Sequence, residues 1–224
     1  MARQVKPDEH AARRREIFDA ALQLIHDKGY ERMTIEDLLS RLQISKGALY
    51  HYFDSKRALL DGIVAAMSES ASGPLRAVVA DSSLGAIDKL NAYFAAAGAW
   101  KAENPTAVAA SIRLWRDENA LIRQKVSQES MRTAVPLLEA IIHQGRDEGV
   151  FDTDFPHEAA MFVAGMDAIL ADAFQDAIEA DGRSGTDVSG PRSRRVVAAY
   201  FQALERILGA PTGSLTSTVA RGRA

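Results

Sequence analysis

The stretch from Thr34 to Leu60, TIEDLLSRLQISKGALYHYFDSKRALL, constrains the fold of this chain more than any other. Thr34 suits a helix N-cap, and Asp37 three residues on completes a T-x-x-D capping pattern, so a helix begins there. Leu38, Leu39 and Leu42 give that helix one buried face. Ser45 offers a second N-cap so soon afterwards that only a turn of three or four residues fits between the two helices. The second helix, Lys46 to about Tyr52, turns Leu49 and Phe53 inward. Lys46, Gly47, Ala48, Tyr50, His51 and Tyr52 are left on or near its outer side. Two short helices at a steep angle, the second small and polar outside, describe a helix-turn-helix whose second helix enters a DNA major groove.

Each outer residue brings its own chemistry. Lys46 can donate to guanine O6 and N7, Ala48 can touch a thymine methyl, and Gly47 lets the backbone approach the groove. His51 can meet a base or a phosphate. Thr34 and Ser45 stand at helix N-termini, where free N–H groups favour an anion, although capping alone accounts for both. Lys56 opens the next helix, where the positive end of the macrodipole disfavours a lysine unless a phosphate partners it. Glu36 and Asp37 lie close to this surface and repel phosphates if they point outward.

Six pieces in order carry a family resemblance: Ile17-Phe18-Asp19-Ala20-Ala21-Leu22, Lys28-Gly29-Tyr30, Thr34-Ile35, Ser45 to Phe53, Ser55-Lys56 and Leu59-Leu60. Together they resemble the tetracycline-repressor (TetR) family of bacterial transcription regulators, over roughly residues 11 to 60, about a quarter of the chain. The resemblance implies an all-α fold of about nine helices: an N-terminal three-helix helix-turn-helix DNA-binding domain followed by a C-terminal helical ligand-binding and dimerisation domain. It implies a phosphate contact for the Tyr50 hydroxyl, against the alternative of a half-buried core tyrosine, and a contact of Lys56 with the DNA backbone. One position departs from the pattern, because the family's turn glycine is Gln43 here; a left-handed non-glycine residue costs roughly 1 kcal/mol.

Composition agrees. The chain has 224 residues, no cysteine and a net charge of −3, so disulfides and thiol chemistry are excluded. No apolar run approaches the roughly 20 residues of a membrane span, and the polar start MARQVKPDEHAARRR lacks the apolar core of a signal peptide. A soluble cytoplasmic protein that does not enter the membrane is the plain expectation. Residues 1–57 hold 11 Lys and Arg against 9 Asp and Glu, whereas the remainder holds 16 against 21. A mildly basic end on an acidic body suits DNA binding by that end. Arg3, Lys6 and Arg13 to Arg15 read either as a basic arm toward DNA or as an ordinary solvated helix start.

Apolar spacing and breakers give the remaining helices. The first runs from about Glu9 to Lys28, with Ile17, Ala20, Ala21, Leu24 and Ile25 on one face and Gly29 as its stop. Ser55 caps a long fourth helix that ends near Ser72-Gly73-Pro74. Others cover roughly 84–101, 106–116, 120–148 with a kink at Pro136, 157–180 and 192–208. Residues 181–191 read as a flexible loop. The expected domains are 1–56 for DNA binding, 57–209 for ligand binding and dimerisation, and 210–224 as a disordered tail.

The expected dimer interface is Met161, Gly165 and Ala168 on the eighth helix with Val197, Tyr200, Phe201, Leu204 and Leu208 on the ninth, by resemblance to a four-helix interface; the alternative is that both stripes face the chain's own core. A two-fold dimer reads a palindromic double-stranded operator with half-sites about one turn apart. Met67, Phe94, Trp100, Trp115, Met131, Phe162, Met166 and Phe174 are candidates to line a pocket for a small-molecule inducer, again against a plain core reading. No glycine-rich phosphate loop, nucleophile elbow or H-E-x-x-H occurs, so neither an enzyme nor a cofactor is expected. The acids around His143 and His157 read as solvated charges rather than metal ligands. The sequence thus describes a ligand-responsive dimeric DNA-binding regulator, a repressor by preference; the alternative is a helical small-molecule-binding or adaptor protein without specific DNA binding.

Overall fold

The computed structural model describes residues 7–115, 120–183 and 187–216. Among the described residues there are nine α-helices and no strand: α1 (Pro7–Lys28), α2 (Ile35–Leu42), α3 (Lys46–Tyr50), α4 (Lys56–Ala80), α5 (Ala86–Glu103), α6 (Pro105–Trp115), α7 (Ala120–Asp147), α8 (Pro156–Ala180) and α9 (Pro191–Leu208). The two last helices begin on a proline, whose fixed φ and missing N–H suit a first turn. Gly29 stops α1 at φ +82° while its N–H returns to Ile25 O at 2.9 Å.

One helix differs from expectation at a proline. α4 continues through Pro74 to Ala80 instead of ending there. Leu75 is buried, and Val78 and Val79 pack on apolar neighbours, so the turn beyond the proline is held from outside the helix. Arg76 Nη1 also donates to Ser72 Oγ at 2.6 Å, and Ser72 Oγ donates to Glu69 O at 3.1 Å, tying the turns on either side of the ring. α7 likewise runs on through Pro136.

The chain forms two compact units. The first joins Met1–Met67 with Thr106–Val126. Its core gathers Ile17, Ala21 and Ile25 of α1 with Leu38, Leu49, Phe53, Leu59 and Ile63, and with Ala110, Leu114 and Ile122 from α6 and α7. Gln23 Nε2 donates to Thr106 Oγ1 at 3.2 Å, and Lys125 pairs with Asp61 at 2.8 Å. Membership of α6 in this unit is a long-range fact that local periodicity does not carry.

The second unit comprises Ser68–Pro105 and Ser127–Ala224. Leu90, Leu138, Ile141, Ile142, Val163, Leu204 and Leu208 fill its core. Phe94 stands edge-on to Tyr93, Tyr200 and Phe201 at centroid distances of 5.4 to 5.7 Å. The buried Lys89 donates to Val79 O at 3.0 Å and to Gln144 Oε1 at 2.8 Å, which satisfies an ammonium that would otherwise be costly to bury. Part of the expected disordered tail belongs to this core. Leu215 is 4% exposed, its N–H donates to Glu205 Oε1 at 3.0 Å, and Asn91 brackets it by donating to Ser214 O and accepting from Thr216 N–H. Residues 217–224 lie outside the described residues. In the expected loop, the Asp181 carboxylate accepts from the Arg192 and Ser193 N–H groups and so caps α9; residues 184–186 lie outside the described residues.

Candidate nucleic-acid interface

Thr34 opens α2 with extended backbone, φ −105° and ψ 161°. Its hydroxyl accepts from the Asp37 N–H at 3.1 Å, while the Asp37 carboxylate accepts from the Thr34 N–H and hydroxyl at 2.7 Å each. The Lys28 ammonium pairs with the same carboxylate. Lys28, then the Thr34 donors, hold the Asp37 carboxyl well below the usual carboxylate range. Asp37 therefore directs its charge into the cap; Glu36 stays exposed.

The turn keeps its left-handed geometry with glutamine in it. Gln43 has φ 52° and ψ 45°, the one positive φ outside glycine among the described residues, and its N–H bonds Leu39 O. α3 follows, capped by Ser45 Oγ accepting from the Ala48 N–H at 3.2 Å. Leu49 and Phe53 are buried and anchor it. It ends at Tyr50 rather than Tyr52, because the Tyr52 N–H turns back to Leu49 O at 2.9 Å in the tighter bond of a closing turn.

The outer side is as expected from the spacing. Lys46, Gly47, Ala48 and His51 are exposed, and Tyr52 is half-buried. Tyr50 is 39% exposed, which removes the core reading of that side chain. The Lys46 ammonium lies 5.9 Å from the centre of the Tyr50 ring. A Cβ added at Gly47 meets nothing within 4 Å, so no internal neighbour demands a glycine there. Lys56 is less free than expected. It donates to Glu31 O at 3.2 Å and sits 4.3 Å above the Tyr30 ring, and these partners offset the positive end of α4.

The basic arm resolves into separate roles. Arg3 and Lys6 lie outside the described residues. Arg13 pairs with Glu16, Arg14 lies 5.1 Å over the Phe53 ring, and Arg15 is exposed. Sequence reasoning missed His10, whose ring lies 4.7 Å from that of Tyr52 and 6.2 Å from that of His51. Nothing in the periodicity of α1 marks it.

The body residues divide in ways the sequence hid. Of the candidate interface residues, Tyr200, Phe201, Leu204 and Leu208 are buried in the chain's own core. Val197 is half-buried against the same core, Gly165 is half-buried, and Met161 is 44% exposed. The side chain of Ala168 lies outside the described residues. The periodic stripe of α9 was therefore its inner face.

The candidate pocket residues are divided between the two units. Met67 packs on the core of the first unit, whereas Phe94, Met131, Met166 and Phe174 pack on that of the second. Trp100 donates through Nε1 to Ser70 Oγ at 3.1 Å. Phe162 is 63% exposed and lines no interior. The Trp115 side chain lies outside the described residues. A groove of about 320 Å³ opens in the second unit, lined by Met131, Arg132, Val135, Pro136, His157 and Met161. Of the pocket candidates, Met131 alone lines it. Beside it, Glu139 accepts from His157 Nδ1 at 2.9 Å and lies 3.8 Å from His143 Nε2.

Comparison with known proteins follows the same division. The family model described as bacterial regulatory proteins, tetR family, matches residues 17–63. The chain is 46% identical over 50 residues to the A-factor receptor protein of Streptomyces griseus, covering 22% of this chain and 18% of that protein. It is 34% identical over 70 residues to the HTH-type transcriptional repressor KstR2 of Rhodococcus jostii, covering 31% of this chain and 34% of that protein. The matches thus span no more than about a third of these relatives. The whole fold is similar to that of SmeT, the repressor of the Stenotrophomonas maltophilia multidrug efflux pump SmeDEF, with a TM-score of 0.69 at 18% identity over 92% of this chain and 94% of that one. SmeT is also known as a complex with triclosan.

Proposed function

The chain belongs to the tetR family of bacterial regulatory proteins, and on that premise we propose that it is a dimeric, sequence-specific DNA-binding repressor released from a palindromic operator by a small apolar or amphipathic ligand. The observation that carries this reading is the outer side of α3. Lys46, Gly47, Ala48 and Tyr50 are exposed together on a helix whose ends are capped and whose Leu49 is buried. A glycine with no neighbour to accommodate makes sense where another molecule's backbone must come close. Residues 1–56 are assigned to DNA reading and residues 57–209 to ligand binding and pairing. Thr34, Ser45, Tyr50, His51, Tyr52 and Lys56 take phosphate, while Lys46 and Ala48 face the bases.

Pairing needs a surface, and the buried side of α9 is not available for it. The exposed side chains of α8 and α9 are: Phe162 with Met161 on one, Ala198, Ala199 and Gln202 on the other. A triclosan-bound fold relative supports an apolar ligand for the body, and no catalytic role is assigned to it. No described helix is long and apolar enough to cross a membrane, in keeping with a cytoplasmic regulator.

The test is selection of bound sequences from a random duplex pool at two salt concentrations, with Lys46→Ala and Tyr50→Phe variants alongside. A palindromic winner that survives higher salt and is lost in the Lys46 variant supports the repressor. Weak binding without consensus that vanishes with salt leaves only nonspecific phosphate attraction and favours an adaptor.

A further inference from the structure

We propose that His10 is an additional DNA contact and that, with His51, it makes operator binding proton-linked; this rests on the DNA-binding reading above. Three rings from two distant parts of the chain meet at the end of α3. His10 of α1 lies 4.7 Å from Tyr52, His51 lies 5.3 Å from Tyr52, and the two imidazoles are 6.2 Å apart. His51 is exposed and His10 half-buried. Among the described residues neither imidazole has a hydrogen-bond or ion-pair partner, so their ring nitrogens are open to a third party.

The surroundings select an anion. On α1 the charged neighbours of His10 along the chain are Asp8, Glu9, Arg13 and Arg14; Arg13 is paired with Glu16, and Arg14 covers the rings of Phe18 and Phe53. Along the chain from His51 come Lys46 and Tyr50 on α3 and Asp54 beyond it, all exposed, while Tyr52 meets the His51 ring. Lys46 is occupied by the Tyr50 ring face at most. The Tyr52 ring packs against both imidazoles, which also meet each other edge-on, so the three rings close a triangle. Imidazole is the side chain whose charge changes near neutral pH, and a phosphate beside it favours the protonated, doubly donating form. Duplex binding therefore takes up protons here, and a backbone phosphate reached by α3 on one side and the start of α1 on the other is the chemistry that fits.

The experiment uses the full-length protein and the duplex recovered by selection, with affinity measured by fluorescence anisotropy at pH 6 and pH 8 and at two salt concentrations. Wild type is expected to bind roughly threefold to tenfold tighter at pH 6, with a salt slope steeper by about one for each added contact. His10→Gln should lose a large part of that gain while keeping the same consensus, and His10→Gln/His51→Gln should bind equally at both values. His10→Arg should recover at pH 8 the part of the gain that His10→Gln loses. Circular dichroism of each variant at both values checks that folding is unchanged. Specific binding with a flat pH profile, or a pH effect that persists in the double variant, overturns this inference alone. A wild type that selects no sequence at either pH overturns the repressor reading and the inference together.

Discussion

Arg113 donates through Nη1 to the backbone carbonyl of His26 at 2.9 Å, across 87 residues of sequence. That carbonyl lies in the last turn of α1, where carbonyls lack helical partners and the helix end is negative. A guanidinium answers both needs. A Cβ at Gly29 would stand 3.3 Å from Arg113 Nε on a residue already at φ +82°. Arg113→Ala should cost about 1 kcal/mol and Gly29→Ala about 1–2 kcal/mol. Part of the glycine penalty falls on Arg113, so the double variant should cost less than the sum in urea denaturation; strict additivity would refute the contact.

Asp37 makes the fold acid-sensitive. Its folded carboxyl titrates well below the ordinary value of 3.8, chiefly through Lys28 and then Thr34. The resulting stabilisation is complete above that ordinary value and is lost as pH falls through the lowered folded value. The stability gap between wild type and Asp37→Asn should shrink steadily below pH 3.8 in denaturant midpoints taken over the acid range. A gap constant with pH would show that the pair with Lys28 contributes nothing. Thr34→Ala, which removes the other half of the cap, should cost about 1 kcal/mol.

Gly47 separates folding from binding. Alanine there meets open space and gains about 0.5–1 kcal/mol of helix preference, so Gly47→Ala should melt no lower than wild type. The same methyl would stand between α3 and the groove. Operator affinity should fall at least tenfold while thermal stability holds, and unchanged affinity would remove Gly47 from the interface.

The pair of Glu139 and His157 has a pH window. The hydrogen bond from His157, and after it His157 charge, lowers Glu139 below its ordinary 4.5; the hydrogen bond to Glu139 raises His157 above its ordinary 6.5. The glutamate's contribution is lost as pH falls through its lowered folded value, and the histidine's as pH rises through its raised one. Melting temperatures of wild type minus His157→Gln should trace a bell with its plateau between about pH 4.5 and 6.5.

Leu204 and Phe162 distinguish core from surface. Leu204 is fully buried, so Leu204→Ala should cost 2–5 kcal/mol. Phe162→Glu sits on an exposed position and should leave protomer stability nearly unchanged while raising the dimer dissociation constant in sedimentation equilibrium. The reverse pattern would restore the interface read from the α9 stripe.

The sequence spoke most clearly where the physics is local. Caps at Thr34, Ser45 and Ser55 and the apolar spacing of Ile17, Ala21 and Ile25 involve residues within a turn or two of each other. The stripe of α9 was legible as a stripe, but periodicity cannot say whether the partner is the same chain or another. Continuation of α4 past Pro74 depends on apolar neighbours of Leu75, Val78 and Val79 that come from other helices. The meeting of His10 with Tyr52 is likewise tertiary. Leu215 stood as one apolar residue among small polar ones, with no period to betray it.

Leu215 nonetheless sits in the interior, pinned by Glu205 and bracketed by Asn91. A stop codon just after α9 would therefore excise part of the core rather than trim an end. A protease cutting the same stretch must wait for that plug to swing out, so the rate of clipping there becomes a clock for local opening of the second unit.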